Sequence, residues 1–91
     1  MKKLWNDRAW EEYQYWQTQD KRTIRKINSL IRDLERSDGK GTGQAELLRG
    51  NLAGWSSVKI DEKNRLVYRI LEKGENRTLE ILQCKGHYSE K

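Results

Sequence analysis

The residue pattern predicts an α+β fold, with two N-terminal helices packed on one face of a twisted, mainly antiparallel sheet of four or five strands. Three observations carry this expectation. Ile and Leu recur at helical spacing between Ile24 and Leu34, three apolar-rich runs follow residue 54 with short polar turns between them, and a brief apolar stretch opens the chain at Lys3-Leu4-Trp5. A length of 91 residues fits one domain spanning 1–91, with a thin core.

The opening Lys3-Leu4-Trp5 reads as a short strand, and Asn6 or Asp7 can start a helix by accepting its free amide hydrogens. In this first helix Trp10, Tyr13 and Gln17 form one stripe with Trp16 beside it, so its aromatics should face the core. Asp7, Glu11 and Glu12 place negative charge near the positive helix end. Asp20 is a second capping residue. From it Ile24, Ile27, Ile31 and Leu34 repeat at spacings of 3, 4 and 3, with Leu30 adjoining them. The remaining faces carry Lys21, Arg22, Arg25, Lys26, Arg32 and Arg36, which suit either a solvated face or one turned toward RNA or a ribosome.

Ser37–Gly43 holds three glycines in five residues, each costing a helix about 1 kcal/mol relative to alanine, and is expected to be a loop. It is not a phosphate-binding P-loop, because Gly41-Thr42 follows a helix and a lone Lys40 instead of completing the Gly-Lys-Ser/Thr pattern after a strand. Strands are expected at Trp55–Ile60, Arg65–Leu71 and Thr78–Gln83, joined through Asp61-Glu62-Lys63-Asn64 and Lys73-Gly74-Glu75-Asn76. Val58, Ile60, Leu66, Tyr68 and Ile70 share one parity. Lys59, Arg65 and Arg69 take the other, which predicts one core face and one cationic face. There are no prolines and no internal repeats.

Mean hydropathy is low, −1.12, but four Trp, four Tyr and the periodic Ile/Leu positions outweigh the average. Nineteen Lys and Arg against fourteen Asp and Glu leave a charge of +5 and a pI near 9.5, which favours nucleic acid or an acidic protein as partner. No run of about 18 apolar residues is present, and Met1-Lys2-Lys3-Leu4-Trp5 passes into polar sequence instead of an apolar signal core, so no membrane partner is expected. The single Cys84 rules out an intrachain disulfide and a multi-cysteine zinc site. Beside Ile81 and Leu82 it reads as a packing residue of a strand in a reducing cytoplasm.

The residues that could carry chemistry are Glu46, Arg49, Lys59, Arg65, His87 and Tyr88, provided that the cationic sheet face and the tail bring them around a phosphodiester. RNA is cleaved without a metal or protein nucleophile when a base takes the 2′-hydroxyl proton, cations stabilise charge on the phosphoryl oxygens and an acid protonates the leaving oxygen. His87, with a reference pKa of about 6.5, suits the acid. Each residue also has a plainer explanation. His87 can be a solvent-exposed tail residue, and Tyr88 a partly buried aromatic rather than a base-stacking one. Glu46 can pair with Arg49 across a helical turn, Arg65 can satisfy Asp61 or Glu62, and Lys59 can be an ordinary strand cation.

In combination the local patterns are more specific. Trp10-Glu11-Glu12-Tyr13-Gln14-Tyr15-Trp16-Gln17, Asp20-Lys21-Arg22 and Lys26-Ile27-Asn28 resemble the first helix and second-helix entry of the YoeB/Txe toxins, within the RelE/ParE-like superfamily. Gly41, Gly43, Glu46, Leu48, Asn51-Leu52-Ala53-Gly54-Trp55 and Arg65-Leu66-Val67-Tyr68 follow the same order and spacing, and Cys84-Lys85-Gly86-His87-Tyr88 resembles the family's terminal His-Tyr signature. The resemblance implies a toxin of a type II toxin-antitoxin system that cleaves mRNA in the ribosomal A site and leaves a cyclic phosphate. Glu46 would be the general base, His87 the general acid, Arg65 the stabiliser of transition-state charge and Tyr88 a stacking or positioning group. Arg49 and Lys59 would hold phosphate or ribosomal RNA. It implies no metal and no cofactor, an antitoxin of the Phd/YefM type, the ribosome with its mRNA as partners, and allows a homodimer.

Three positions depart from the family pattern: Lys59 stands where arginine is usual, Arg49 where lysine is, and Ser56 where a second aromatic can follow Trp55. Charge is kept in both basic exchanges but phosphate geometry is not. Ser89-Glu90-Lys91 also extends the tail past Tyr88. Two other functions remain open on sequence grounds: a ParE-like toxin that binds its target without cutting RNA, and a ribosome- or RNA-binding module that uses only its basic helix.

Overall fold

Both helix boundaries near residue 20 are made by one residue, Asp20. In the computed structural model, which describes residues 1–39, 44–73 and 75–88 with Lys73 by its backbone alone, helix α1 spans Asp7–Gln19 and helix α2 spans Lys21–Arg36. Extended backbone at Asp20 (φ −156°, ψ 98°) breaks the helical path. Its N–H donates to the Trp16 carbonyl, ending α1, while its carboxylate accepts the amides of Arg22 and Thr23 at 3.0 and 3.2 Å, starting α2. These bonds to the charged form hold the Asp20 carboxyl below its ordinary value. A single linking residue forces the helices back on each other, and Tyr13 Oη donates across the pair to Asn28 Oδ1 at 2.6 Å.

The α2 stripe lies where its spacing places it: Ile27, Leu30, Ile31 and Leu34 are buried, joined by Thr23, with Ile24 at the margin. The α1 stripe is rotated from expectation. Trp10 is 45% exposed and Gln17 is exposed, whereas Ala9 is fully buried and Tyr13 and Trp16 pack against the core. The small Ala9 lets the helix approach the sheet closely. Trp10 is displaced outward to stack on Tyr13 and meet Trp5 edge-on. Beyond α2, Asp38 (φ 61°) and Gly39 (φ 91°) form a Schellman-type end in which the Gly39 N–H reaches the Leu34 carbonyl. A Cβ at Gly39 would lie 2.6 Å from Ile70 Cγ1, so this crossing requires glycine. The rest of the expected loop, 40–43, lies outside the described residues, as do Gly74 and Ser89-Glu90-Lys91.

The sheet has five strands: β1 Lys2–Trp5, β2 Glu46–Leu47, β3 Ser56–Lys59, β4 Arg65–Lys73 and β5 Asn76–Gln83. Their spatial order is β1-β5-β4-β3-β2. Only β1 is parallel to its neighbour β5, and the other pairs are antiparallel. Val58, Ile60, Leu66, Tyr68, Leu79 and Ile81 meet Ala9, Ile27, Leu30, Ile31 and Leu34 in one apolar cluster. The opposite face is not simply cationic. Beside Arg65, Arg69 and Lys59 it buries Val67 completely, and Ser57, Glu80 and Gln83 nearly so. Arg69 is drawn into this face by an ion pair with Glu80 at 2.6 Å and by stacking 4.2 Å over the Trp55 ring.

Leu66 is fully buried at the centre of the apolar cluster. Leu66→Ala is therefore expected to lower unfolding free energy by about 2–5 kcal/mol in urea titration. A loss under about 1 kcal/mol would show that this position collapses without a cavity.

Candidate active site

Glu46 does not sit on a helix. The stretch expected to pair Glu46 with Arg49 across a helical turn is instead the edge strand β2, in register with β3 through Glu46 opposite Ser57. Residues opposite one another share a face. A row of side chains therefore crosses the sheet from Glu46 through Ser57 and Val67 to Gln83, and a second short row pairs Lys59 with Arg65. Both rows lie on the face away from the helices.

Gln83 reaches that face through an irregularity. Between Val67 and Tyr68 the β4–β5 register shifts, so that Tyr68 faces Ile81 while Val67 faces Gln83, and Leu82 is the extra residue of a β-bulge. Strict alternation would have turned Gln83 toward the helices. The bulge sends Cys84 there instead, fully buried with Sγ 3.6 Å from the Ala9 carbonyl. Cys84 thus packs as expected, one residue beyond the strand end. Burial, with the nearby Glu12 carboxylate, pushes its thiol up to about 12.

The turn Asp61–Asn64 places Arg65. The Asp61 carboxylate accepts the Lys63 and Asn64 amides at 2.8 Å each and the Asn64 side-chain amide at 3.0 Å. Burial would raise its pKa, but these hydrogen bonds and the Arg65 charge outweigh it and hold the carboxyl below its ordinary value. The Arg65 guanidinium donates to the carbonyl oxygens of Asp61 at 2.6 Å and Asn64 at 3.1 Å. Its hydrogen bonds thus go to backbone acceptors, while the Asp61 and Glu62 carboxylates feel its charge without a direct bond to it among the described residues. Lys59 differs: its ammonium pairs with Glu62 at 2.6 Å, and this contact lowers the Glu62 pKa.

The tail returns over these rows. The Gly86 carbonyl accepts the Arg65 N–H at 3.0 Å, which brings His87 and Tyr88 beside the start of β4. Their rings lie 4.7 Å apart at a 33° tilt. The result is one cleft of about 370 Å³ lined by Gln44, Glu46, Ser57, Lys59, Arg65, His87 and Tyr88. Glu46, Lys59 and His87 stand exposed, with Arg65 and Tyr88 half-buried and Ser57 buried beneath them. Five of the six residues singled out from sequence meet here. Arg49 is exposed just before a single 3₁₀ turn, Gly50–Leu52, and is not among the lining residues. Gln44 and Ser57 carry no sequence signal of their own. Among the described residues no group of three or more His, Cys, Asp or Glu is arranged to hold a metal ion, and no helix is long and apolar enough to cross a membrane.

Residues 5–88 match the family model described as the YoeB-like toxin of bacterial type II toxin-antitoxin systems. The chain belongs to that family. It is 42% identical to the toxin YoeB of Escherichia coli K12 over 88 residues, which cover 97% of this chain and 100% of the relative. A YoeB/ParE toxin from Agrobacterium tumefaciens superposes with a TM-score of 0.88 at 41% identity, over 97% of this chain and 100% of that one. The Staphylococcus aureus YoeB dimer superposes at 0.82 with 34% identity, over 97% and 98%, and that toxin has also been solved in a heterotetrameric YoeB–YefM complex. Two helices on a five-stranded mixed sheet are thus the architecture of YoeB-like toxins as well as of this chain.

A thiol pushed up to about 12 is protonated at neutral pH and unreactive as a nucleophile. Native protein is expected to resist iodoacetamide at Cys84 and to react once unfolded in urea, as mass spectrometry can read. Rapid labelling of the native protein would contradict the burial.

Proposed function

We propose that the cleft is the active site of a ribosome-dependent endoribonuclease, an mRNA interferase that cuts mRNA in the ribosomal A site and so blocks translation. The observation that carries the reading is the convergence of a carboxylate, an arginine, a lysine, a histidine and a tyrosine from four separate segments on one open cleft. They include the base, cations and acid by which RNA is cleaved without a metal, in a family of toxins that the resemblance links to mRNA cleavage.

In the reaction, Glu46 takes the 2′-hydroxyl proton of the nucleotide 5′ to the scissile bond. The freed oxygen attacks the adjacent phosphorus, the bond from phosphorus to the 5′-oxygen breaks, and His87 as imidazolium gives its proton to that oxygen. The products are a 2′,3′-cyclic phosphate and a 5′-hydroxyl. Arg65, held by carbonyl oxygens with its charge uncompensated by them, stabilises the negative charge that develops on the phosphoryl oxygens. Lys59 supplies a second cation when phosphate displaces Glu62, and Tyr88 stacks on an unpaired base. Arg49, outside the cleft lining, holds RNA backbone or ribosomal RNA. All roles are filled by side chains, without metal or cofactor.

The cleft is wide and exposed, which suits a substrate presented in fixed register by the ribosome more than free RNA captured from solution. The cognate partner is an antitoxin of the YefM type, as in the Staphylococcus aureus YoeB–YefM complex, and a homodimer matches the dimeric form of that same relative. The site of action is the bacterial cytoplasm, where ribosomes are.

Primer extension on a defined mRNA, with and without programmed ribosomes, tests this function. A-site cuts are expected only with ribosomes, and Glu46→Ala and His87→Ala should each reduce them at least about 100-fold, the scale of general acid–base contributions. Intact mRNA with wild-type protein, or growth inhibition unchanged in both variants, would favour a toxin that binds its target without cutting it.

A further inference from the structure

His87 stands close to the end of the described chain, where a segment is ordinarily free to fray. Here each residue from 84 to 87 has an anchor. The Cys84 N–H donates to Glu12 Oε1 at 2.8 Å, and its carbonyl accepts the Trp16 indole N–H at 2.9 Å. The Lys85 ammonium lies 4.8 Å over the Tyr15 ring. The Gly86 N–H donates to Asn64 Oδ1 at 2.8 Å and its carbonyl accepts from Arg65 N–H. The Gln83 amide donates to the His87 carbonyl at 3.2 Å, with the Lys85 and Gly86 carbonyls at 3.5 Å.

Two side-chain amides stand out in this set. Gln83 is buried at 3% exposure in a run that otherwise reads Ile81-Leu82-Cys84, where an apolar residue would be the easier choice. The β4–β5 bulge turns it to the cleft face, and its donors are spent on the tail. Asn64 has its side-chain N–H bonds fixed on Asp61, which orients its oxygen toward Gly86. Lys85 and His87 are exposed, so apolar burial contributes little here and hydrogen bonds set the path of the tail.

We propose that Asn64 and Gln83 are positioning residues, which hold the Gly86-His87 backbone so that the His87 ring meets the leaving oxygen while Arg65, next to Asn64, meets the same phosphate. This inference rests on the nuclease function above. Asn64 couples the two groups: its own carbonyl accepts from the Arg65 guanidinium and its side chain accepts from the residue preceding His87. The turn thereby sets the spacing of cation and acid as one unit. Misplacing a reacting group by about 1 Å costs on the order of 100-fold in rate, so these amides act on turnover and not on substrate capture.

The test uses full-length wild type, Asn64→Leu, Asn64→Asp and Gln83→Met with programmed ribosomes, together with amide hydrogen exchange of Gly86 in the free proteins. Asn64→Leu and Gln83→Met are expected to lower kcat about 10- to 100-fold with KM within about twofold, and Asn64→Leu to speed Gly86 exchange. Asn64→Asp keeps an acceptor for the Gly86 N–H but loses the N–H bonds to Asp61 and sets a like charge against it, so its Gly86 protection and kcat should fall between those of wild type and Asn64→Leu. Wild-type kcat in Asn64→Leu, unchanged Gly86 exchange, or a loss confined to KM would overturn the proposal. Absence of cleavage by wild-type protein would instead overturn the nuclease function; the anchoring by Asn64 would then stand or fall on Gly86 exchange alone.

Discussion

The two faces of the sheet must meet opposite demands, and the site follows from that division. Both helices bury their apolar stripes on one face, where Ile27, Leu66, Leu79 and Ile81 are fully enclosed. The other face has no such layer of helices, and beside the apolar Val67 its buried groups are polar or paired: Ser57, Gln83, and Glu80 with Arg69. A polar group can be withdrawn from water only with its partners supplied. That face is therefore built from hydrogen bonds and ion pairs, and among the described residues no side-chain polar atom buried in it lacks a partner. A scaffold of this kind can carry an arginine bonded only to carbonyl oxygens and an exposed histidine at low cost, because both remain in contact with solvent.

The proposed base, cation and acid lie on segments that differ in how firmly they are held. Glu46 lies on a two-residue edge strand, Arg65 is braced by a turn whose Asp61 carboxylate gathers four hydrogen bonds, and His87 is tied through its main chain. The arginine and histidine share Asn64 as a neighbour, whereas the glutamate reaches the cleft independently across β3. Closure of the glutamate side onto a bound phosphodiester would leave the cation–acid pair unmoved. The Glu62 carboxylate occupies Lys59, so in the proposed reaction that cation would act only after an exchange of anions.

Much of the fold was legible in the sequence because it rests on periodicity and turn chemistry. The Ile24–Leu34 stripe, the Asp20 cap and the alternation in β3 and β4 each leave a local pattern, and the structure reproduces them. Misreadings arose where packing overrode pattern. Ala9, too small to register as a core anchor, took the place given to Trp10. Glu46 followed sheet pairing when its neighbours Ala45, Leu47 and Leu48 suited a helix. Glu46, Arg65, His87 and Tyr88 stood out as a hypothetical cluster, but each alone has an ordinary explanation and only family resemblance gave them roles. Asn64 and Gln83 escaped notice because their roles depend on a bulge and on a return of the tail, neither of which has a periodic signature. A glutamine inside Ile81-Leu82-Gln83-Cys84 and an Asp-x-x-Asn turn were the available hints.

Attack by the ribose 2′-hydroxyl is the step on which the roles of Glu46, Arg65 and His87 all depend. The most direct measurement is cleavage of an A-site mRNA carrying a single 2′-deoxynucleotide immediately 5′ to the scissile phosphate, compared with its all-ribose counterpart on identically programmed ribosomes. The mechanism requires the ribose substrate to be cut and the deoxy substrate to remain intact at that bond. Equal cutting of both would show that another nucleophile attacks the phosphorus, and Glu46 would lose its role as the base.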